Sequence, residues 1–255
     1  MDLDGAGLFG LDGRVAVVTG ASGGLGEAVA RLLTAAGASV ALVARRRARL
    51  ETIASEIGGL AVECDLLDQR AVVARVQEIA SDLGPPEILV NVAGAIAGVH
   101  PAEAESLESV EVTLALNLVA PLLLCQQVFP HMRQVGRGAI VNVSSISGLV
   151  GIPGIPQASY AASKAGLSGL TAELAVQWGR HAIRVNTIAA GFFRSDMTAA
   201  MYDDARTAKW LRRNTLLPGE GRVADLVGAV LWLVSDAGRY VTGQTIAVDG
   251  GWTAR

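Results

Sequence analysis

The segment "YAASK" holds two side chains with the types and the spacing of an acid/base pair. Tyr160 and Lys164 stand four residues apart in a stretch with a helical pattern, so both lie on one face of that helix. An unperturbed tyrosine has a pKa of about 10, too high for easy proton exchange near neutrality, and a neighbouring ammonium group lowers it. Such a pair can give a proton to an oxygen that gains charge, or take one back. Taken alone, the spacing also fits a surface tyrosine beside a surface lysine.

A glycine-rich stretch near the start of the chain predicts a phosphate-binding loop. The segment "VVTGASGGLG" places Gly20, Gly23, Gly24 and Gly26 between an apolar strand and a helical pattern. Glycine lets the backbone adopt positive φ and pass close to a pyrophosphate, and the free N–H groups and dipole of the helix start favour negative charge there. A tight strand-to-helix turn that happens to be rich in glycine is the alternative interpretation.

Arginines at the end of the second predicted strand favour NADP(H) as the cofactor. An NAD site usually has an acid at this point for the ribose 2′-OH. Here Ala44 is followed by Arg45 and Arg46, with Arg47 and Arg49 close behind. A guanidinium pairs with a 2′-phosphate in forked geometry, whereas a carboxylate would repel it. We expect NADP(H) to be preferred and NAD(H) to remain possible; a solvated basic helix start is the alternative.

A parallel sheet must position these residues. Short apolar runs alternate with helical periods, and apolar strands without strict alternation are buried on both faces. We expect an α/β fold, a single doubly wound Rossmann domain whose seven-stranded, mainly parallel sheet is flanked by about six helices, one of them over residues 106–135. The domain spans 1–255, with a dinucleotide-binding half at about 12–95, a catalytic and substrate half at about 96–255, and a lid at about 192–217.

Composition restricts the classes of function. The chain has 255 residues, a formal net charge of −3 and no basic tail, so a nucleic-acid partner is not expected. The N-terminus is acidic where a signal peptide is basic, and no apolar run reaches the roughly 18 residues of a membrane span, so we expect a cytoplasmic protein without a membrane partner. Cys64 and Cys125 are expected to be buried free thiols. His100, His131 and His181 lack ligand spacing, so no metal site is predicted.

The glycine loop reads Thr-Gly-x-x-x-Gly-x-Gly over residues 19–26, and with the Y-x-x-x-K pair it resembles the short-chain dehydrogenase/reductase family. The resemblance covers nearly all of the chain and includes Asn91-Val92-Ala93-Gly94, although the family prefers asparagine at position 92. It is closest in look to the gluconate 5-dehydrogenase-like and 3-oxoacyl-[acyl-carrier-protein] reductase-like branches. It implies an oxidoreductase that interconverts a ketone and a secondary alcohol by hydride transfer, and a homotetramer.

The resemblance also implies a catalytic tetrad. Ser145 would orient the substrate oxygen, with Ser147 as the alternative, and Tyr160 would be the general acid/base. Lys164 would lower the tyrosine pKa and bind the nicotinamide ribose. Asn117, unusual inside a helix, would hold a water molecule in a proton relay.

Cofactor contacts follow from the same resemblance. Asp65 is expected at the adenine amino group, although locally it could be the N-cap of the next helix. Ala190 and Ser195 replace a proline and a threonine in a segment that packs on the nicotinamide. The predicted cofactor residues are Gly20, Ser22, Gly24, Leu25, Gly26, Arg45, Arg46, Asp65, Leu66, Asn91, Ala93, Gly94, Tyr160, Lys164, Gly191, Phe193 and Ser195.

The lid and the loop after Ser145 predict the substrate pocket. Their aromatic and methionine side chains favour a moderately apolar ketone or secondary alcohol, whereas Arg194, Arg212 and Arg213 could meet the carboxylate of a keto sugar acid. The predicted substrate contacts are Ser147, Val150, Ile152, Phe192, Met197, Met201 and Tyr202. A 3-oxoacyl-thioester reductase and a non-catalytic NADP-binding sensor are the alternative functions.

Overall fold

The computed structural model of the chain describes residues 5–194 and 198–254. Seven strands form its sheet: β1 Val15–Thr19, β2 Ser39–Ala44, β3 Leu60–Glu63, β4 Pro86–Asn91, β5 Gly138–Ser145, β6 Ile183–Ala190 and β7 Thr245–Val248. Their order is β3-β2-β1-β4-β5-β6-β7, and all neighbouring strands are parallel. The α/β fold and the strand number predicted from the alternating pattern are confirmed, and the sheet is parallel throughout rather than mainly so.

Helices cover both faces of this sheet. The α-helices are α1 Gly5–Phe9, α2 Gly24–Ala35, α3 Arg47–Ile57, α4 Gln69–Asp82, α5 Leu107–Leu114, α6 Ala120–Val135, α7 Ala158–Trp178, α8 Ala199–Asp203, α9 Ala205–Asn214 and α10 Val223–Val234. One apolar core joins the sheet to α2, α3 and α10, and a second core joins the opposite face to α4, α6 and α7. Successive residues of β1 alternate between the cores, since Val17 belongs to one and Val18 to the other.

The helix predicted over residues 106–135 is one helical run that contains a π-helical turn. The π-helix Ala115–Val119 joins α5 to α6. By length and composition alone the run Leu107–Val135 could cross a membrane, which corrects the expectation that no segment is apolar enough. Leu124 and Val128 of this run are buried in the core beneath β4. Packing against the sheet therefore accounts for part of this apolar composition.

The order of the strands creates a crevice at one edge of the sheet. The chain builds β1 to β3 outward in one direction and then returns to place β4 on the other side of β1, so the loops after β1 and β4 separate there. Thr19 joins these two loops, because its Oγ1 accepts the N–H groups of Val92 and Ala93, each at 3.1 Å. A ligand site is expected in this crevice.

A buried chain of polar side chains fixes α7 against the middle of the sheet. Asn91 Nδ2 donates to Asn142 Oδ1 at 2.9 Å, and Asn142 Nδ2 donates to Thr171 Oγ1 at 2.9 Å. The hydroxyls of Thr171 and Thr187 are 2.6 Å apart. These bonds join β4, β5 and β6 to α7, the helix that carries Tyr160 and Lys164.

Replacing Thr171 with valine should lower the free energy of unfolding, because the buried amide of Asn142 would lose its acceptor. An unsatisfied buried donor costs about 1–3 kcal/mol. Thr52→Val is the matched control, since Thr52 lies on an exposed helix face and its Oγ1 donates only to the Ala48 carbonyl. Urea unfolding measures both variants. An equal loss of unfolding free energy in the two variants, or no loss in Thr171→Val, would contradict the stabilising role given to these buried hydrogen bonds.

Candidate functional site

A cavity of about 660 Å³ lies at the carboxyl edge of the sheet. The glycine loop and the arginines after β2 form one end, and residues of β5, α7 and the segment after β6 form the other. The predicted residues that line it are Gly20, Ser22, Gly24, Leu25, Gly26, Arg45, Arg46, Asp65, Leu66, Ala93, Gly94, Ser145, Ser147, Tyr160, Lys164, Gly191, Phe192, Phe193 and Met201. The fold therefore brings the predicted nucleotide-binding and acid/base groups into one cavity.

Two predicted polar residues are buried behind the cavity wall. The side chain of Asn91, expected among the cofactor contacts, points into the sheet and bonds to Asn142. Asn117 is fully buried in the π-helix and does not line the cavity either. Neither side chain therefore forms part of the cavity wall.

Three predicted substrate residues also lie outside the cavity wall. Ile152 and Tyr202 pack into an apolar cluster with Trp252, and the Tyr202 hydroxyl donates to the Phe192 carbonyl at 2.8 Å. Val150 faces solvent. Some apolar side chains of a lid pack against the protein beneath it, and others face the ligand. Amino-acid composition does not show which residues do which. Ser195 and Met197 lie outside the residues that the structure describes.

The glycine loop has the backbone that a pyrophosphate needs. Gly20 and Gly24 have φ of +69° and +54°, a region that other residues rarely adopt. A Cβ at Gly26 would lie 2.3 Å from the Gly20 carbonyl oxygen, so only glycine lets α2 start this close to the loop. A Cβ at Gly24 would meet open space, so the backbone here is accessible from the cavity. The first N–H groups of α2 are then available to an anion.

Two arginines after β2 stand at the rim of the glycine-loop end. Arg46 holds the loop with a forked contact, Nε to Ser22 Oγ at 3.0 Å and Nη2 to the Ser22 carbonyl at 2.9 Å. The guanidinium of Arg45 has no hydrogen bond or ion pair with the described residues. The next two arginines are ion-paired with glutamates, Arg47 with Glu51 and Arg49 with Glu27. Arg45 and Arg46 are therefore the two that can meet a phosphate.

Asp65 follows β3 and lines the same end of the cavity. Its Oδ1 accepts the Leu67 N–H at 3.1 Å, which shapes the loop. The N-cap of α4 is Asp68, whose carboxylate accepts the N–H groups of Arg70 and Ala71. The alternative interpretation of Asp65 as the N-cap is therefore wrong.

At the other end, Tyr160 and Ser145 both line the cavity. Burial raises the pKa of Tyr160, and the interaction of its hydroxyl with the Ser145 side chain opposes part of the increase. Ser145 Oγ also accepts the Ser147 N–H at 3.1 Å and lies 3.2 Å from Ser147 Oγ. Of the two serines weighed from the sequence, Ser145 is the one that contacts the tyrosine.

Lys164 is buried beside this pair. Its Nζ donates to the Val143 carbonyl at 2.9 Å and lies 5.7 Å from the centre of the Tyr160 ring. Burial lowers the pKa of Lys164 to about 8. A cation in such an apolar setting acts strongly on a neighbouring ionisable group, because little solvent screens it.

Asn117 clamps the loop that follows β4 onto the acid/base groups. Its Oδ1 accepts the Ala95 N–H at 2.9 Å, and its Nδ2 donates to the Ala95 carbonyl at 2.9 Å and to Ser163 Oγ at 3.1 Å. A Cβ at Gly94 would lie 3.1 Å from both Asn117 Oδ1 and Lys164 Nζ, so glycine permits this close approach. The proton-relay role of Asn117 stays a prediction.

Sequence reasoning missed two polar residues that contact the loop and helix start around Tyr160. Gln157 lines the cavity, and its Nε2 donates to Ser147 Oγ at 2.9 Å. Glu105 accepts the N–H of Ser159 at 3.3 Å and also its hydroxyl. The position of Gln157, three residues before Tyr160, was an available signal. Glu105 had none, because 54 residues separate it from its partner.

The segment after β6 covers the acid/base end. Phe192, Trp210 and Trp252 form an aromatic cluster with ring centres 5.0–6.1 Å apart. Two arginines that the sequence offered to a substrate carboxylate are paired instead, Arg194 with Asp203 at 2.6 Å and Arg212 with Glu220 at 3.5 Å. Their charges are therefore already balanced inside this segment.

Comparison with known proteins agrees with the fold and the site. Residues 20–253 match a family model described as Enoyl-(Acyl carrier protein) reductase. The chain belongs to the short-chain dehydrogenase/reductase family of oxidoreductases, as its motifs predicted.

Three relatives illustrate this membership. Gluconate 5-dehydrogenase of Gluconobacter oxydans is 39% identical over 251 residues, which cover 96% of this chain and 97% of that protein. D-threitol dehydrogenase of Mycolicibacterium smegmatis is 36% identical over 255 residues, covering 97% and 95%. The crystal structure of a gluconate 5-dehydrogenase from Burkholderia cenocepacia, in complex with NADP and tartrate, superposes with a TM-score of 0.93 at 32% identity and covers 98% of this chain and 99% of that one.

Replacing Lys164 with methionine should stabilise the cofactor-free protein at neutral pH. The folded state holds a buried ammonium whose pKa is lowered from 10.5 to about 8, so the charge opposes folding below pH 8. The gain in unfolding free energy should be on the order of 1–3 kcal/mol at pH 7 and should shrink as pH rises from 8 to 10.5. Lys209→Met is the control, because this other lysine of the chain is exposed. Denaturant unfolding across this pH range measures both, and a destabilised K164M at pH 7 would contradict the assignment.

Proposed function

We propose that this chain is an NADP(H)-dependent oxidoreductase that interconverts a ketone and a secondary alcohol, with Tyr160 as the general acid/base. The observation that carries the proposal is the contact of Tyr160 with Ser145, beside the buried Lys164, in the cavity that also contains the glycine loop. A tyrosine placed between a hydroxyl donor and a cation can move a proton to or from one substrate oxygen.

The glycine-loop end fits a dinucleotide that carries a 2′-phosphate. The start of α2 would take the pyrophosphate, Arg45 and Arg46 the 2′-phosphate, and Asp65 the adenine amino group. The relative from Burkholderia cenocepacia was crystallised with NADP, which supports the same choice here. NADPH supplies the hydride in reduction.

The side chains of the acid/base end have separate tasks. Ser145 donates a hydrogen bond to the carbonyl oxygen and holds it beside the Tyr160 hydroxyl. As the carbonyl carbon accepts the hydride, Tyr160 gives its proton to the oxygen, and the phenolate that remains is stabilised by Lys164. The balance is ketone plus NADPH plus one proton, giving secondary alcohol plus NADP⁺; in oxidation every step runs in reverse.

A hydroxylated small molecule suits the acid/base end as substrate. Ser147 and Gln157 give it polar groups, while Ile96, Leu116 and Phe192 supply apolar walls. The names of the relatives support a sugar or polyol alcohol, since one acts on gluconate and another on D-threitol. The ion pairs of Arg194 and Arg212 favour a polyol or ketose over a keto sugar acid.

Replacing Tyr160 with phenylalanine should reduce NADPH-dependent turnover by about 10²-fold or more, because general acid catalysis contributes about 10²–10⁴-fold. A panel of ketoses, keto sugar acids and plain ketones, followed by NADPH consumption, measures this. NADPH should still bind to the variant, since the ring remains. Tyr240→Phe is the matched control, because the Tyr240 side chain is 99% exposed. Undiminished turnover in Y160F would refute the proposed acid.

Replacing Arg45 and Arg46 together with alanine should raise the Kd for NADPH roughly tenfold or more, while the Kd for NADH changes little. The reason is the loss of charge-assisted hydrogen bonds to the 2′-phosphate, worth about 1.5–3 kcal/mol. Fluorescence titration with both nucleotides measures the ratio. Arg47→Ala is the control, since this arginine is paired with Glu51. An equal loss of both nucleotides would instead indicate damage to the glycine loop that Arg46 supports.

A further inference from the structure

We propose that Gln157 and Ser147 bind a hydroxyl group on the carbon next to the reacting carbon, so that the substrate is an α-hydroxyketone in reduction and a vicinal diol in oxidation. This inference rests on the proposed function, because it places the reacting oxygen at Ser145 and Tyr160.

The two side chains form a donor and acceptor pair that faces the cavity. Gln157 Nε2 donates to Ser147 Oγ at 2.9 Å, so this serine oxygen is already an acceptor and its own O–H remains able to donate. The Gln157 Oε1 atom has no hydrogen bond with any described residue and is free to accept. Both residues line the cavity.

This pair is complementary to a hydroxyl group rather than to a carbonyl or a carboxylate. A hydroxyl donates one hydrogen bond and accepts others, so it can satisfy Gln157 Oε1 and Ser147 O–H together. A carbonyl or carboxylate oxygen only accepts, so it would leave Gln157 Oε1 without a hydrogen bond to the ligand, which is unfavourable. The pair therefore selects for an alcohol at this point.

The position of the pair fixes which hydroxyl it takes. Ser147 Oγ lies 3.2 Å from Ser145 Oγ, and Ser145 contacts the Tyr160 hydroxyl. Two oxygens bound side by side at Ser145 and Ser147 therefore have the spacing of oxygens on neighbouring carbon atoms. The second hydroxyl is the one adjacent to the reacting carbon.

The backbone beneath Gln157 is held in place. Its carbonyl accepts the Ala161 N–H at 2.9 Å in the first turn of α7, and Glu105 accepts the Ser159 N–H in the same turn. A side chain on a fixed helix start loses less freedom when it binds a ligand, so its hydrogen bonds count more toward selectivity.

Turnover of two ketones that differ by one hydroxyl measures the selectivity. 3-Hydroxybutan-2-one should have a kcat/KM at least roughly tenfold above that of butan-2-one, the effect of about 1.4 kcal/mol of hydrogen bonding. Gln157→Leu should raise the KM for the hydroxyketone and bring the ratio of the two kcat/KM values close to one. Gln177→Leu is the matched control, since Gln177 lies on an exposed face of α7 and bonds to Glu173. An unchanged ratio of kcat/KM values in Q157L would overturn the proposal.

Binding without chemistry separates this proposal from the proposed function. Calorimetry of the Tyr160→Phe protein with NADP⁺ compares butane-2,3-diol with butan-2-ol. The diol should bind roughly tenfold more tightly, and the added Gln157→Leu change should remove that difference, whereas added Gln177→Leu should not. Equal binding of the two alcohols, or a preference that survives in the Q157L background, would overturn the inference. If the unmodified protein reduced no ketone while its Tyr160→Phe form kept the diol preference, the proposed function would be refuted and the binding of a neighbouring hydroxyl by Gln157 and Ser147 would be supported.

Discussion

The geometry of the acid/base end of the site depends on the close packing of α7 against the end of β5. The Lys164 ammonium donates to the Val143 carbonyl at 2.9 Å, and the Ser144 hydroxyl donates to the Lys164 carbonyl at 2.8 Å. Gly148 lets the two segments come this close, because a Cβ there would lie 2.7 Å from the Lys164 carbonyl carbon. This junction sets Tyr160 one helical turn earlier on α7, over Ser145 at the end of the strand.

Further polar contacts from β5, from the π-helix and from the segment before α5 hold α7 against the sheet. Thr171 bonds to Asn142 of β5, Ser163 bonds to Asn117 of the π-helix, and Ser159 bonds to Glu105. Burying a cation and several amides opposes folding unless each group has a partner. The described residues supply partners for Ser163, Lys164 and Thr171 of α7. Helix α7 therefore holds the buried ammonium of Lys164 beside Tyr160, where the proposed function needs its charge.

Local patterns made much of the site predictable. The strand–glycine–helix order, the arginines after β2 and the spacing of Tyr160 and Lys164 are short-range features, and a parallel sheet brings their strand ends to one edge. Asn91 was assigned to the cofactor because its segment at the end of β4 resembles the family's. Side chains alternate between the two faces of a strand, and the side chain of Asn91 lies on the face that packs against α6, where it bonds to Asn142. Pairing with the neighbouring strands decides which face this is.

Other parts of the site depend on contacts that no local pattern encodes. Ile152 and Tyr202 have the composition of a pocket wall but bury against Trp252, because the lid needs a core of its own. Asp65 and Asp68 both suit a helix start, and only the backbone path shows that Asp68 is the cap. The partnership of Glu105 with α7 exists only once the chain has folded.

The measurement that tests the central claim most directly is the ionisation of Tyr160 itself. The chain has three tyrosines, so 13C-labelled tyrosine gives few NMR signals, and substitution assigns them. The titration is run on the NADP-bound protein with lysine at position 164 and on the Lys164→Met variant. If the buried ammonium stabilises the phenolate, the pKa of Tyr160 is lower in the protein that retains Lys164. Equal pKa values of Tyr160 in the two proteins would contradict the acid/base unit on which the account rests.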